Sequence, residues 1–293
     1  LYGVVDAGLQ YNHIDMDGQG DDIDTFSMES GQQSGSRWGL KGTEDLGNGL
    51  TVGFVLENGF TFDDGDDKSP MGYAVQAGTV FMTGTRYENS IVYRTPSFAG
   101  FQVTAMYSMG GNDEGENEST TDRYYGIAAS YNNGPLFGYL AVDSTNYASW
   151  PVTAANRDID DSLTVTLGAS YDFEVVKAYF GAQYFDNAQL GGGITSDYGD
   201  QFAFSGVNVE DLYLEGYALT VGVDAPVAGG KVMAAVGYMD AETASNSDSV
   251  VEADFTRWSF SVGYNYPLSK RTNVYAVGAY TSDDYEGNGT NNG

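Results

Sequence analysis

Apolar and polar residues alternate along nearly the whole chain. In SLTVTLGASYDF, residues 162–173, Leu163, Val165, Leu167, Ala169 and Tyr171 share one side of an extended strand, and Thr164, Thr166, Gly168 and Ser170 share the other. The same period of two recurs at Val52, Phe54 and Leu56, at Phe101, Val103, Ala105 and Tyr107, and at Tyr125, Ile127, Ala129 and Tyr131. Further sets are Val176 to Tyr184, Tyr217 to Ala225, Val232 to Tyr238 and Trp258 to Tyr266. With less regular runs at 1–11, 36–45, 89–96, 136–144 and 273–281, the pattern predicts roughly 13 strands of about ten residues each. Helical spacing is nowhere persuasive.

The connections sort into two kinds. LGNG, SFAG, NNGP, DFE, PVAGG and PLSKRT are short and rich in turn formers. NHIDMDGQGDDIDTFSMESGQQSG, GGNDEGENESTTD and AETASNSDSVVEAD are long, polar and read as loops. An antiparallel meander with tight turns at one end and long loops at the other is the layout of an outer-membrane barrel.

A soluble β-sandwich also alternates, because each of its sheets has one apolar and one polar face. Its polar face meets bulk water and carries charge, whereas here that face holds mostly Gly, Ser, Thr, Gln and Ala. Strands of about ten residues exceed the usual five or six and match a tilted crossing of the hydrocarbon layer. Tyr131, Tyr171, Tyr264 and Tyr266 near strand ends suit an interfacial girdle. The pattern therefore predicts an all-β, transmembrane antiparallel barrel whose apolar stripes face lipid and whose polar stripes face a water-filled interior.

Composition fits that picture. The 293 residues include 23 Tyr, 15 Phe and 40 Gly but only 6 Pro, a mixture suited to strands and turns. No stretch approaches the roughly 18 uninterrupted apolar residues of a membrane helix. The chain opens on strand-like LYGVVDAGLQY, so an export signal is expected to have been removed or omitted. With no Cys, thiolate chemistry and disulfides are absent.

SGSRWGLKGTEDLGNGLTVGFVLENGF, from Ser34 to Phe60, resembles the second and third strands of the general diffusion porins of Gram-negative bacteria, those of betaproteobacteria above all. LYGVVDAGLQY, ENSIVYRTPSFAGF (Glu88 to Phe101) and YPLSKRTNVYAVGAY (Tyr266 to Tyr280) resemble other parts of the same proteins in the same order. The resemblance implies a homotrimeric outer-membrane porin of roughly 16 strands, with short periplasmic turns, long extracellular loops and a third loop folded inward as the constriction. It implies passive diffusion of ions and small hydrophilic solutes, and partners limited to outer-membrane lipid, lipopolysaccharide and further copies of the chain. Against that family, residues 1–293 read as a single β-barrel domain lacking two strands after about residue 68 and a final C-terminal strand.

Strand parity assigns the inward side chains. Trp38 and Leu40 point to lipid, so Arg37 and Lys41 point inward; by the same rule Arg94, Lys177, Lys231 and Arg257 face the channel, as do Asp6, Glu57, Asp143 and Asp224. Opposed charges across a narrow aqueous pore filter solutes by size and sign. The alternative for each is a salt bridge that braces the wall. The inward loop is expected from about Pro70 to Tyr87, carrying Arg86 with Glu88 just beyond; the alternative is an ordinary surface loop.

Most acids fall elsewhere. DMDGQGDDIDTFSME, DDGDD, NDEGENE, RDIDD and DDYEG read as loop segments and supply much of the net charge of -29. An acidic mouth concentrates cations, yet exposed charge is screened beyond about 10 Å, so the reading leans only slightly toward cations. No cofactor is expected. Asp63, Asp64, Asp66 and Asp67 lack the spacing of an EF-hand loop, which leaves weak Ca2+ or Mg2+ binding, bridging to lipopolysaccharide, as an open alternative. The only histidine, His13, reads as a solvated residue at the start of the first long loop, with no triad context to make an enzyme. A pI near 4.1 argues against nucleic acid. An adhesive or structural barrel with long binding loops remains the competing function, ahead of an outer-membrane hydrolase.

Overall fold

The computed structural model of the protein describes residues 1–15, 22–48, 50–61, 80–82, 87, 89–110, 122–147, 151–152, 155–156, 160–189, 213–244 and 253–287. The chain forms two compact units, Leu1–Gln76 and Ala77–Gly293. All regular elements among the described residues are β-strands.

In the first unit, β1 (Tyr2–Val4) runs on into β2 (Ala7–Ile14), and burial alternates residue by residue from Leu1 to Tyr11. β2 pairs antiparallel with β3 (Ile23–Ser30), while β1 pairs with β4 (Arg37–Gly47), which pairs in turn with β5 (Leu50–Gly59). Residues 31–36 stand opposite only Val5 and Asp6, so the partner strand leaves the ladder at Ser30 and rejoins it at Arg37. The β3 strand corrects the long-loop reading of residues 12–35. Its Phe26 and Met28 alternate on the same face as their partners Tyr11 and Leu9, a short apolar period hidden among acids.

The second unit is built on one ten-stranded meander. Its strands are β6 (Ser90–Arg94), β7 (Phe101–Ser108), β8 (Arg123–Asn133), β9 (Leu136–Asn146), β12 (Leu163–Asp172), β13 (Lys177–Gln189), β14 (Tyr213–Val227), β15 (Gly230–Thr243), β16 (Ala253–Pro267) and β17 (Asn273–Gly287). A separate small pair, β10 (Pro151–Val152) and β11 (Ala155–Asn156), interrupts the connection after β9. Each strand pairs antiparallel with its sequence neighbours, and tight turns alternate with long connections throughout. At one tight end Ala228 and Gly229 both take positive φ (49° and 81°), the twist that a two-residue hairpin requires.

With β1–β2 and β3–β4 each counted as one strand and the short β10–β11 pair set aside, the described residues match the tally of about 13 read from the pattern; sixteen is not reached among them. The longest strands reach 15 residues, beyond the expected ten or so. β17 runs through Gly287, so DDYEG, expected in a loop, lies in strand.

The two faces of the ten-stranded sheet decide its class. On the apolar face Leu167 is 45% exposed and Trp258 54%, while on the opposite face Ala218 and Met239 are 0%. A sandwich buries its apolar face; this sheet displays it. The displayed face carries aromatic pairs at both ends. Phe101–Tyr131 (centroids 4.5 Å) and Tyr171–Phe173 (4.6 Å) lie by the tight turns, and Tyr107–Tyr125 (5.2 Å) and Tyr238–Trp258 (4.5 Å) lie toward the long loops. Between Trp258 and Tyr264 lie Phe260 and Val262, so an apolar stretch separates the two aromatic levels, the order of an apolar band between two interfacial belts.

Candidate functional site

In the first unit a charged cluster forms on the face opposite Trp38 and Leu40. Register puts Tyr2 opposite Gly39 and Gly39 opposite Glu57, so β1, β4 and β5 bring Tyr2 and Glu57 to the same level and face. The Tyr2 hydroxyl donates to Glu57 Oε2 at 2.6 Å, reaching across the β4 backbone. Gly39 permits this: a Cβ there would meet the Tyr2 ring at 2.7 Å and Leu56 O at 2.7 Å. Arg37 Nε lies 3.4 Å from the same Glu57 oxygen, and Lys41 Nζ sits 5.3 Å from the Tyr2 ring centroid. Four side chains from three strands thus form one partly exposed patch with two positive charges and one negative.

Asp6 lies on the same face but does a different job. Its Oδ2 accepts the backbone N–H groups of Gln33 (2.6 Å) and Ser34 (2.7 Å), within the segment that leaves the ladder.

In the second unit, part of the segment expected to fold inward packs on the polar face of the sheet. Met82 N–H donates to Gln183 Oε1 at 2.7 Å, and Gln183 Nε2 donates back to Met82 O at 2.9 Å and to Thr166 Oγ1 at 3.0 Å. Val80 fills the space over Gly237 and Phe81 the space over Gly181. Val80, Met82, Phe185, Leu214, Ala218, Met239, Ala241 and Phe255 make one buried cluster there. Tyr87 stacks on Tyr124 of β8, on the same face, with centroids 3.9 Å apart, and burial pushes its hydroxyl above the ordinary phenol value. Arg86, Glu88 and residues 62–79, which include Asp63, Asp64, Asp66 and Asp67, lie outside the described residues.

The remaining expected residues divide into paired and unpaired. Arg257 is 0% exposed and makes a two-pronged bridge to Asp283, Nε to Oδ1 at 2.7 Å and Nη2 to Oδ2 at 2.7 Å, with its guanidinium 5.6 Å from the Phe255 ring centre. Near the tight turns, Asp224 accepts from Lys231 at 3.2 Å and from the Tyr179 hydroxyl, and Lys177 Nζ lies 5.1 Å from the Tyr179 ring centroid. Arg94 is opposite Thr104, on the polar face of β6. Asp143, opposite Thr164 and Gly126, falls on the polar face too. Among the described residues Lys41, Arg94 and Lys177 form no ion pair.

Sequence reasoning missed Tyr2, Tyr179, Gln183 and Asp283. Parity reaches three of them directly: Tyr2 alternates with Asp6, and Tyr179 and Gln183 with Lys177. Asp283 was hidden because its strand was ended too early. His13 lies within β2, its Nδ1 3.0 Å from Asp24 Oδ1, which also accepts the Tyr11 hydroxyl at 2.7 Å. No group of three or more acidic or histidine side chains among the described residues is arranged to hold a metal ion.

Comparison with known proteins identifies what this wall resembles. The Gram-negative porin family matches residues 1–82 and 67–286, two stretches that meet in the 67–82 region. An outer membrane porin protein of Bordetella pertussis is 32% identical over 354 aligned positions, covering 97% of this chain and 88% of that one. Outer membrane porin protein 32 of Delftia acidovorans is 28% identical, covering 94% and 81%. Among solved structures, an anion-selective porin from Comamonas acidovorans superposes with a TM-score of 0.67 at 26% identity, over 96% of this chain and 87% of that one. The trimer form of OmpT from Vibrio cholerae shares the fold, with a TM-score of 0.57 at 16% identity over 96% of this chain and 89% of that one.

Proposed function

From the premise that this chain belongs to the Gram-negative porin family, we propose that the polar faces of its strands line a weakly anion-preferring aqueous channel in a homotrimer. The family sets the rest: an outer-membrane β-barrel of a Gram-negative bacterium, a channel and not an enzyme, passing ions and small hydrophilic solutes by diffusion.

The observation that carries the lining is the inverted sheet, whose apolar face is exposed while its polar face receives residues 80–82. Arg37, Lys41, Glu57, Arg94, Lys177, Asp224, Lys231 and Arg257 are on polar faces, and the segment carrying Arg86 and Glu88 completes the proposed constriction. The wall's own contribution to the sign depends on which charges are neutralised. Glu57, Asp224 and Asp283 each bond a base, while among the described residues Lys41 and Arg94 form no ion pair and Lys177 stands opposite Asp172 and Asp224 without bonding either. Asp6, Glu29, Asp45, Asp143 and Asp172, also on polar faces, oppose them, so the wall charges alone leave the preference weak and the sign rests on the comparison with a similar porin. The similar Comamonas porin is anion-selective by name, which supports the same sign here against the slight cation lean drawn from the acidic loops.

Planar-bilayer reconstitution tests the reading. Stepwise currents nearly linear in voltage are expected, with a reversal potential in a KCl gradient displaced toward that of chloride; a barrel that binds host surfaces with a blocked lumen gives no steps. The trimer is tested by native mass in mild detergent. Weak Ca2+ or Mg2+ binding at the acidic loops is proposed alongside; an ion at tenfold its Kd adds about 1.4 kcal/mol of stability, so a melting temperature indifferent to chelation sinks it.

A further inference from the structure

The structure assigns Asp6 a positioning role: its carboxylate pins the Gly31–Ser36 excursion to the polar face of the first unit, and the excursion holds the Arg37 guanidinium in place. This rests on the reading of Arg37 as a lumen charge and goes beyond it. Sequence parity makes Asp6 one more fixed charge in the channel; the hydrogen bonds give it a different task.

The excursion is a built structure. Gly31 opens it at φ +78°, a conformation that glycine tolerates, and a Cβ there would meet Gly35 Cα at 2.9 Å, so the segment closes tightly on itself. Asp6 then holds it by both backbone and side chain. Asp6 O accepts Gly31 N–H at 2.8 Å and the Ser36 hydroxyl at 2.9 Å, and Asp6 N–H donates to Ser36 Oγ at 3.0 Å. The carboxylate takes the N–H groups of Gln33 and Ser34, charge-assisted bonds stronger than neutral ones. Gln32 Nε2 adds a bond to Gln10 Oε1 at 2.6 Å, on the face that Asp6 shares.

What the segment presents at its far end is a pair of acceptors for Arg37. Nη1 donates to Gly35 O at 2.8 Å and to Ser34 Oγ at 3.3 Å, while Nε faces Glu57 at 3.4 Å. Ser34 is therefore shared: its N–H is fixed by Asp6 and its hydroxyl touches the guanidinium. The clamp keeps Arg37 divided between the excursion and Glu57. Released, the guanidinium turns wholly onto Glu57 as a two-pronged pair, the preferred geometry for Arg and a carboxylate, and presents less positive charge to passing anions.

The two roles for Asp6 predict opposite signs. As a field charge, its neutralisation in Asp6→Asn raises the chloride-over-potassium permeability ratio. As a positioning residue, it lowers that ratio. Ser36→Ala changes no charge yet removes the hydroxyl bonds that tie the same excursion to the Asp6 backbone, so it has an effect only if the excursion positions Arg37.

The test measures reversal potentials in a KCl gradient for full-length wild type, Arg37→Ala, Asp6→Asn, Ser36→Ala, and each clamp variant combined with Arg37→Ala. Retention of folded, heat-modifiable migration on gels selects the samples. Asp6→Asn and Ser36→Ala are expected to lower the ratio by about two- to fivefold, and to do nothing further once Arg37 is removed, the signature of coupled residues. An unchanged or raised ratio in Asp6→Asn, no effect of Ser36→Ala, or an equal shift without Arg37 overturns the assignment. If Arg37→Ala alone leaves the ratio unchanged, the reading of Arg37 as a lumen charge fails first. If Asp6→Asn does not fold, Asp6→Glu, which keeps the charge but moves the carboxylate away from Gln33 and Ser34 N–H by one methylene, decides the matter in both backgrounds: a lowered ratio supports the positioning role and an unchanged one overturns it.

Discussion

Replacing Asp283 with alanine removes the carboxylate that grips a guanidinium with no exposed surface. Arg257 is 0% exposed and Asp283 13%, and both bridging hydrogen bonds are 2.7 Å, at the short end for such pairs. Breaking one side of a buried, two-pronged ion pair costs roughly 3–5 kcal/mol, most of it the penalty of leaving the other charge buried. Asp283→Asn keeps one acceptor oxygen and is expected to lose about 1.5–3 kcal/mol. Replacing both residues, as Arg257→Met with Asp283→Leu, removes the charges together and is expected near wild-type stability or above it. Trp258, on the displayed face beside Arg257, reports unfolding by fluorescence in lipid vesicles titrated with urea. At about 1–3 kcal/mol per molar urea, the alanine variant should unfold at a midpoint lower by about 1 M or more. A midpoint within about 0.3 M of wild type would refute the reasoning, because it would mean that the guanidinium finds water or another partner without loss.

Four further outcomes follow from the same geometry. Gln183→Leu strips both hydrogen bonds from the Met82 backbone; it should cost about 1–3 kcal/mol per group left unsatisfied and raise single-channel conductance as residues 80–82 loosen. Deleting Pro70–Tyr87 should enlarge conductance further, and an unchanged conductance would remove the segment from the constriction. Gly39→Val drives a branched side chain into the Tyr2 ring and Leu56 O, so a loss of about 1–3 kcal/mol from overpacking is expected in the same urea titration, together with loss of the Tyr2–Glu57 bond. Lys41→Ala, which removes a base that forms no ion pair among the described residues, should move the reversal potential toward that of potassium, and Lys231→Ala should move it the same way because it leaves the Asp224 carboxylate unneutralised.

How much of this was legible beforehand depended on period and on punctuation. The alternation placed nearly every strand of the ten-stranded sheet and assigned its faces, because a two-residue period survives any loop that carries a turn signal. It failed where acids obscured the apolar period, at β3, whose IDTFSMES holds only Ile23, Phe26 and Met28 among polar residues. It also ended β17 too soon, since Asp283 and Asp284 resemble loop charge until Arg257 supplies a partner across the ladder. Of the candidate site, parity found Arg37, Lys41 and Glu57 but not the clamp on Asp6. That clamp depends on where the excursion folds, and nothing in GQQSGS announces it. The side-chain period says which face a residue occupies; only register and loop conformation say what it touches there.

The acidic excess of the chain and the sign of its channel are separate quantities for a physical reason. A carboxylate on a loop meets water and salt, which screen it within about 10 Å, so its influence ends near the mouth. A carboxylate on the wall has a base on the next strand within reach. In the described sheets such a base has been found by Glu57, Asp224 and Asp283 in Arg37, Lys231 and Arg257. Each such pair contributes little net field along the axis while it stiffens the wall. In the proposed channel, the field that a passing ion meets is then set by the remaining wall charges, Lys41, Arg94 and Lys177 against Asp6, Glu29, Asp45, Asp143 and Asp172. In such a balance one guanidinium, held open or folded onto its carboxylate, shifts the proposed preference, so the placement of Arg37 is expected to weigh more on selectivity than the net charge of -29 does.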